Sequence, residues 1–320
     1  MFLDQSLAFL YAAVLAGVPL LFGTLGEILI EKSGNLNLGV EGMMQMGAIA
    51  GFLAGWAWND PVLCVIAAFA AGALGSLIYA LLTVTLKANQ NVAGLTLTIF
   101  GTGLANFLGE TLSTAYPAGT VFIQDTVKNA LAPLKPNALS QLPVVGHLLF
   151  EQSPLTYLGI LCAVAMGFYL RRTRHGINLR AIGENPAAAD AMGIPVSLYK
   201  YVHILIGGGL CGIGGVYVSL VTCVGNWQPN IIGGQGWIAV ALVIFASWSP
   251  TKALLGSLIF GALSVLRLYI PKSVIDIPGA LFIMLPFVVT CLVLVVSSIR
   301  MKRESQQPAA CGINYFREER

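Results

Sequence analysis

The chain has 320 residues, 57% of them hydrophobic and 10% charged, with a mean hydropathy of +0.80. A soluble domain carries roughly 25% charged residues, so a water-soluble core is excluded and lipid is the expected solvent. The formal net charge of +3 says little by itself, and no nucleic acid polymer is expected as a partner.

The first apolar stretch lacks a basic leader and an A-x-A-like site, so it reads as a retained span rather than a signal peptide. A membrane helix needs about 20 apolar residues. About nine such runs (8–10) follow, near 7–29, 40–58, 62–86, 92–112, 155–170, 201–222, 236–249, 253–270 and 279–299. The predicted fold class is therefore an all-α polytopic membrane protein. The runs at 92–112 and 236–249 are Gly-rich or short, and are expected to be broken or partly re-entrant.

Basic residues set the orientation. The loop 171–200 holds Arg171, Arg172, Arg174, Arg180 and Lys200, and the tail holds Arg300, Lys302 and Arg303. The positive-inside rule places both in the cytoplasm. Alternation then puts the N-terminus and the segment 113–152 outside and the C-terminus inside. Residues 1–300 form the predicted permeation domain. Residues 301–320 are expected to be a polar, poorly ordered cytoplasmic tail.

Four stretches carry most of the information. In GEILIEKSGNLNLGVEGMMQMGA (26–48), Asn35 and Asn37 belong to a tight turn, and Glu41 opens the next helix. The helix dipole favours a Glu there, and a role for it in a pathway or gate stays open. In NQNVAGLTLTIFGTGLANFLGE (89–110), Thr98, Thr102, Asn106 and Glu110 recur every four residues and share one helix face. That stripe suits a path for an uncharged, hydrogen-bonding solute, or else hydrogen bonds between helices.

In RAIGENPAAADAMGIPVSLYK (180–200), Asn185 can cap a helix and Pro186 suits its first position. Gly193 can close that helix, and Pro195 prevents its continuation. A short surface docking helix is predicted. In the last stretch (224–263), Asn226 and Trp227 lie at an external edge, and glycines precede a short span.

Other chemistries find little footing. No Asp, Glu, Lys or Arg sits at the centre of a run, which argues against an ion-coupled carrier. His147, His175 and His203 form no metal motif, and no P-loop is present. The six cysteines read as apolar packing residues, so no catalytic residue, metal or cofactor is predicted. An intramembrane enzyme would need a polar cluster that the sequence does not contain.

The segments GNLNLGVEGMM, NQNVAGLTLTIFGTGL and GENPAAADAMGI occur in the order seen in a known family. Over residues 15–300 the chain resembles the permease subunits of bacterial ABC importers for branched-chain amino acids, ribose-type sugars and nucleosides. GNLNLGVEG and GTGL look more like the nucleoside and simple-sugar branch.

The resemblance implies a type II ABC-importer-like permease fold in the bacterial inner membrane. It implies partners as well: ABC ATPase subunits, a second permease (a heterodimer or homodimer) and an extracytoplasmic solute-binding protein. It also implies that Gly183, Glu184, Asn185, Pro186, Ala188, Ala189, Met192 and Gly193 couple the chain to the ATPase. Nucleoside import is the main expectation. Import of simple sugars or branched-chain amino acids, or a stand-alone carrier, are the alternatives.

Overall fold

The computed structural model describes residues 2–115, 122–134, 146, 150–269, 279–300 and 306–317. His147, Lys302, Arg303 and much of 113–152, for which the sequence sets expectations, lie outside these residues. Among those described, the fold is helical and contains no strand; Phe122 and Asn226 form one isolated bridge.

Twelve helices follow one another: α1 (Phe2–Lys32), α2 (Val40–Trp58), α3 (Pro61–Ala80), α4 (Gln90–Thr114), α5 (Asp125–Leu131), α6 (Pro154–Arg172), α7 (Arg174–Glu184), α8 (Pro186–Ala191), α9 (Val196–Tyr217), α10 (Gln235–Phe245), α11 (Pro250–Tyr269) and α12 (Gly279–Arg300). The nine apolar runs each fall on one of them. Six helices among the described residues are long and apolar enough to cross a membrane: α1, α3, α4, α6, α9 and α11. Gln235–Phe245 and Met284–Val293 are shorter apolar stretches.

Local chemistry sets the boundaries. Asp60 caps α3 by accepting from Val62 N at 2.7 Å, Asn89 caps α4 through Val92 N, and Thr173 caps α7 through Gly176 N. Pro61, Pro154 and Pro186 occupy first helical turns, where a missing N–H costs nothing. Helices α3 and α9 each run on into one π-helical turn, Leu81–Thr85 and Val218–Thr222.

The core forms where α1, α2, α3 and α9 meet. Phe22, Met44, Phe52, Tyr79 and Tyr217 are buried there. A Cβ at Gly212 of α9 would collide with the Ala68 carbonyl of α3, so only glycine permits this approach. Backbone-to-backbone contact of this kind substitutes for the hydrophobic drive that lipid cannot supply.

Two expectations need correction. The run at 92–112 is one unbroken 25-residue helix, α4. Its glycines serve close approach: a Cβ at Gly101 would lie 2.5 Å from the Gly42 carbonyl oxygen of α2. The expectation of a poorly ordered tail also fails for residues 306–317, which fold back onto the bundle through hydrogen bonds described below. By contrast, the run at 236–249 is a short helix of 11 residues, as its length indicates.

Candidate functional site

One end of the bundle collects Lys32, Lys87, the basic residues of α6 and α7, Lys200 and Lys252, and serves here as the basic end. Its contacts fix the depth of the other elements. A Cβ on Gly23 of α1 would meet Val40 and Met44 of α2 and Ala239 of α10. Gly23 precedes Lys32 by nine residues, and a helix rises about 1.5 Å per residue. Both α2 and α10 therefore begin roughly 13 Å in from the basic end of α1.

From that level α10 runs outward to the basic end, where the Trp248 indole N–H donates to the Glu31 carboxylate. The loop ahead of α10 spans the remaining depth. Trp227 presses on Gly109 of α4, Asn230 pairs with Asn106, and Gly234 and Gly236 meet Glu41. Glu41 lies level with Thr98, because the neighbouring Gly42 packs on the Leu97–Thr98 backbone. Between Thr98 and Gly109 the loop descends about 16 Å beside α4.

Glu41 is the pin of this arrangement. Its two carboxylate oxygens accept from Gly234 N at 2.9 Å and Gly236 N at 2.7 Å. These amides head α10, where orphan donors and the helix dipole both favour a negative group. Glu41 is 7% exposed. Glu41 opens its helix as the sequence indicates, but that helix starts well in from the basic end.

The turn before α2 is tied to its neighbouring helices. Asn37 donates through Nδ2 to Glu27 Oε2 at 2.8 Å and accepts from Gly39 N at 2.9 Å. Asn35 donates to Thr83 Oγ1 at 3.4 Å. Both asparagines are fully buried, and none of their hydrogen bonds reaches Thr98, Thr102 or Asn106.

The α4 stripe divides by its partners. Thr98 donates to the Leu38 carbonyl at 2.9 Å. Asn106 donates to Asn230 Oδ1 and accepts from Asn230 N, both at 2.9 Å. Thr102 lies half-exposed between them, and its hydroxyl has no hydrogen-bond partner among the described residues. Trp227 is buried against Phe52 at 5.6 Å between ring centroids, and its indole N–H has no acceptor among the described residues. Asn226 sits at the bridge to Phe122.

The structure thus brings Thr98, Thr102, Asn106, Trp227 and Glu41 together along one descending loop and sets Asn35 and Asn37 apart. Sequence reading misses Asn230, Gly234 and Gly236, whose only signal is the Gly-rich composition of the loop.

A second cluster lies at the basic end. Asn185 caps α8 by accepting from Ala188 N at 3.0 Å, Gly193 adopts a φ of +79° beyond it, and Pro195 follows. Ala189 is buried against Ile182 and Val196, while Glu184, Asn185, Ala188 and Gly193 are exposed and Met192 is 82% exposed. Helix α7 ahead of α8 extends the surface expected from the sequence.

Comparison with known proteins fits this architecture. Residues 9–294 match the family described as branched-chain amino acid transport system / permease component. The chain is 35% identical over 310 residues to the nucleoside ABC transporter permease protein NupC of Lactococcus lactis subsp. cremoris, covering 93% of each chain. It is 32% identical over 320 residues to the guanosine ABC transporter permease protein NupQ of Bacillus subtilis, covering 97% of this chain and 96% of that one. A Haloferax volcanii permease, provisionally named for glucose, is 39% identical over 259 residues, or 81% of this chain and 76% of that one. Such subunits are non-catalytic membrane components, and ATP hydrolysis lies in separate ATPase partners. The chain belongs to the branched-chain amino acid transport system / permease component family, as a multi-pass membrane subunit of an ABC transporter.

Proposed function

We propose that this chain is the permease of a nucleoside importer in the bacterial inner membrane, and that solute passes along α4 and the loop 226–234. The carrying observation is the exposed, non-helical backbone of that loop. Gln228, Pro229, Asn230 and Gly233 are exposed at depths where the neighbouring elements are helices. Irregular backbone at membrane depth is tolerated only against protein or a water-filled cavity. A path shared with a second permease subunit meets that requirement.

The polar groups beside the loop are hydroxyl and amide, Thr102, Asn106 and Asn230, with the exposed Glu110 carboxylate one turn beyond Asn106 on the same face. The hydroxyl and amides suit the hydrogen-bonding edge of a neutral solute, as a nucleoside requires. The near full-length similarity to permeases named for nucleoside and guanosine supports this choice. In this reading the basic end faces the cytoplasm and the N-terminus lies outside. The exposed residues from Glu184 to Gly193 form the ATPase contact, with Gly183 buried behind them against Lys32 and Pro308, and an extracytoplasmic binding protein delivers solute.

The test is import of labelled guanosine, uridine and glucose by the complete complex in proteoliposomes. Guanosine or uridine uptake that needs ATP supports the proposal. A second reading, a simple-sugar permease, is favoured by the 39% identity to the glucose-named relative, and ATP-dependent glucose uptake without nucleoside uptake would establish it instead. In either case Glu184→Arg is expected to uncouple hydrolysis from uptake while the protein stays folded. Unchanged uptake in that variant would remove α8 from the coupling role.

A further inference from the structure

The segment 306–317 mixes apolar residues with Gln, Asn and Arg, and its contacts are specific. Ala310 N donates to the Gly183 carbonyl at 2.9 Å, just ahead of α8. Pro308 and Ala310 are buried, against Gly183 and Gly34. Asn314 then uses its whole amide. Its Nδ2 donates to the Lys87 carbonyl at 2.6 Å and the Ala88 carbonyl at 3.2 Å, and its Oδ1 accepts from Gln90 Nε2 at 3.1 Å. Lys87–Gln90 is the junction into α4. Gln90 is itself tied to the turn before α2, since its Oε1 accepts from Leu36 N at 2.7 Å.

The next residue reaches the other way. Tyr315 donates its hydroxyl to Asp190 Oδ2 of α8 at 2.8 Å, and its ring packs on the cluster of Ile182, Ala189 and Val196. Arg317 adds an ion pair to the same carboxylate oxygen at 3.3 Å. Adjacent residues, Asn314 and Tyr315, therefore join the start of α4 to α8.

We propose that residues 308–317 are a strap that carries displacement of α8 to the start of α4, with Asn314 and Tyr315 as its positioning residues. The proposal rests on the reading of α8 as the ATPase contact. A six-residue helix has little leverage on the bundle by itself. The strap gives it a second attachment, on the helix that bears Thr98, Thr102 and Asn106. Partly buried amide bonds to backbone carbonyls resist slippage better than exposed ion pairs, whose worth is small.

The experiment uses the complete complex in proteoliposomes and compares Asn314→Ala, Tyr315→Phe and the double variant with Glu184→Arg. Three readings are taken: co-purification of the ATPase, thermal unfolding, and solute imported per ATP hydrolysed. The strap predicts native co-purification in all three strap variants, and a fall in unfolding temperature too small to unfold the complex under the assay conditions. It predicts a roughly five- to tenfold loss of solute per ATP in Asn314→Ala and the double variant, the low end of coupling between sites. Native solute per ATP in the double variant, with Glu184→Arg still uncoupled, overturns the strap and leaves the coupling reading standing. Loss of co-purification in Asn314→Ala overturns it by making the segment a docking surface. A fall in unfolding temperature that accounts for the lost transport overturns it by making the segment a plain brace. A Glu184→Arg complex with native coupling defeats the underlying assignment of α8.

Discussion

Replacing Glu41 by glutamine tests the pin at the head of α10. In the native chain each carboxylate oxygen accepts one amide, from Gly234 and from Gly236. Glutamine keeps the length and offers one acceptor and one amine. The amine would face a backbone N–H, so one donor at the head of α10 loses its partner. The crowding beside Gly236, where a Cβ would lie 2.5 Å from the Glu41 N and Cα, keeps the glutamine oxygen there and makes Gly234 N the donor that loses its partner. A buried donor left unsatisfied costs about 1–3 kcal/mol. That energy shifts the ratio of docked to released α10 by roughly 5- to 150-fold.

Glu41→Ala strands both donors and costs about twice as much, on the order of 2–6 kcal/mol. Thermal unfolding of the purified subunit in detergent measures the stability change, and initial uptake by the reconstituted complex measures the functional one. The expected order is native, then glutamine, then alanine, in both readings. Glutamine at the native unfolding temperature and uptake would refute the pin. So would a glutamine variant less stable than the alanine variant.

Three other outcomes follow from the geometry. In Gly101→Ala the new Cβ meets the Gly42 carbonyl at 2.5 Å, and helix separation at a cost of about 1–3 kcal/mol should appear as a lower unfolding temperature. Asn185→Ala removes the cap on Ala188 N, worth about 0.5–2 kcal/mol; with only six residues, α8 should fray, and ATPase co-purification should fall while the bundle unfolds at its native temperature. Asn106→Leu breaks both bonds to Asn230, at about 0.5–1.5 kcal/mol each. Uptake should fall in that variant and in Thr102→Val, with subunit assembly intact by size-exclusion chromatography.

Much of the fold is legible because helices report themselves locally. Nine apolar runs mark nine helices, and Asn185, Pro186, Gly193 and Pro195 mark α8 almost residue by residue. The glycines of α4 mislead, because a glycine that breaks a helix and one that admits a neighbour look alike in sequence. Gly101 is of the second kind, opposite Gly42.

The site is harder to read. Glu41 finds its partners 193 and 195 residues away, and no local pattern encodes that meeting. The stripe through Thr98, Thr102 and Asn106 is visible as a period of four, but which members are spent on helix contacts depends on Leu38 and Asn230. The tail reads as solvated because charged residues flank it on both sides, although half of 306–317 is hydrophobic. Its order comes instead from single hydrogen bonds, such as Asn314 to the Lys87 carbonyl, which composition cannot reveal.

The exposed loop ahead of α10 has a consequence for how the protein is made. On the proposed path the N–H groups of Asn230 and Gly233 are already bonded within the protein, but the exposed Gln228 side-chain amide has no partner among the described residues, and an unassembled subunit would present it to hydrocarbon. Each unsatisfied group there costs several kcal/mol. On that reading, stable residence in the bilayer is expected to wait on assembly, and a subunit synthesised in excess would be exposed to membrane proteases. Its cellular level would then follow the supply of whatever covers that loop, rather than its own rate of synthesis.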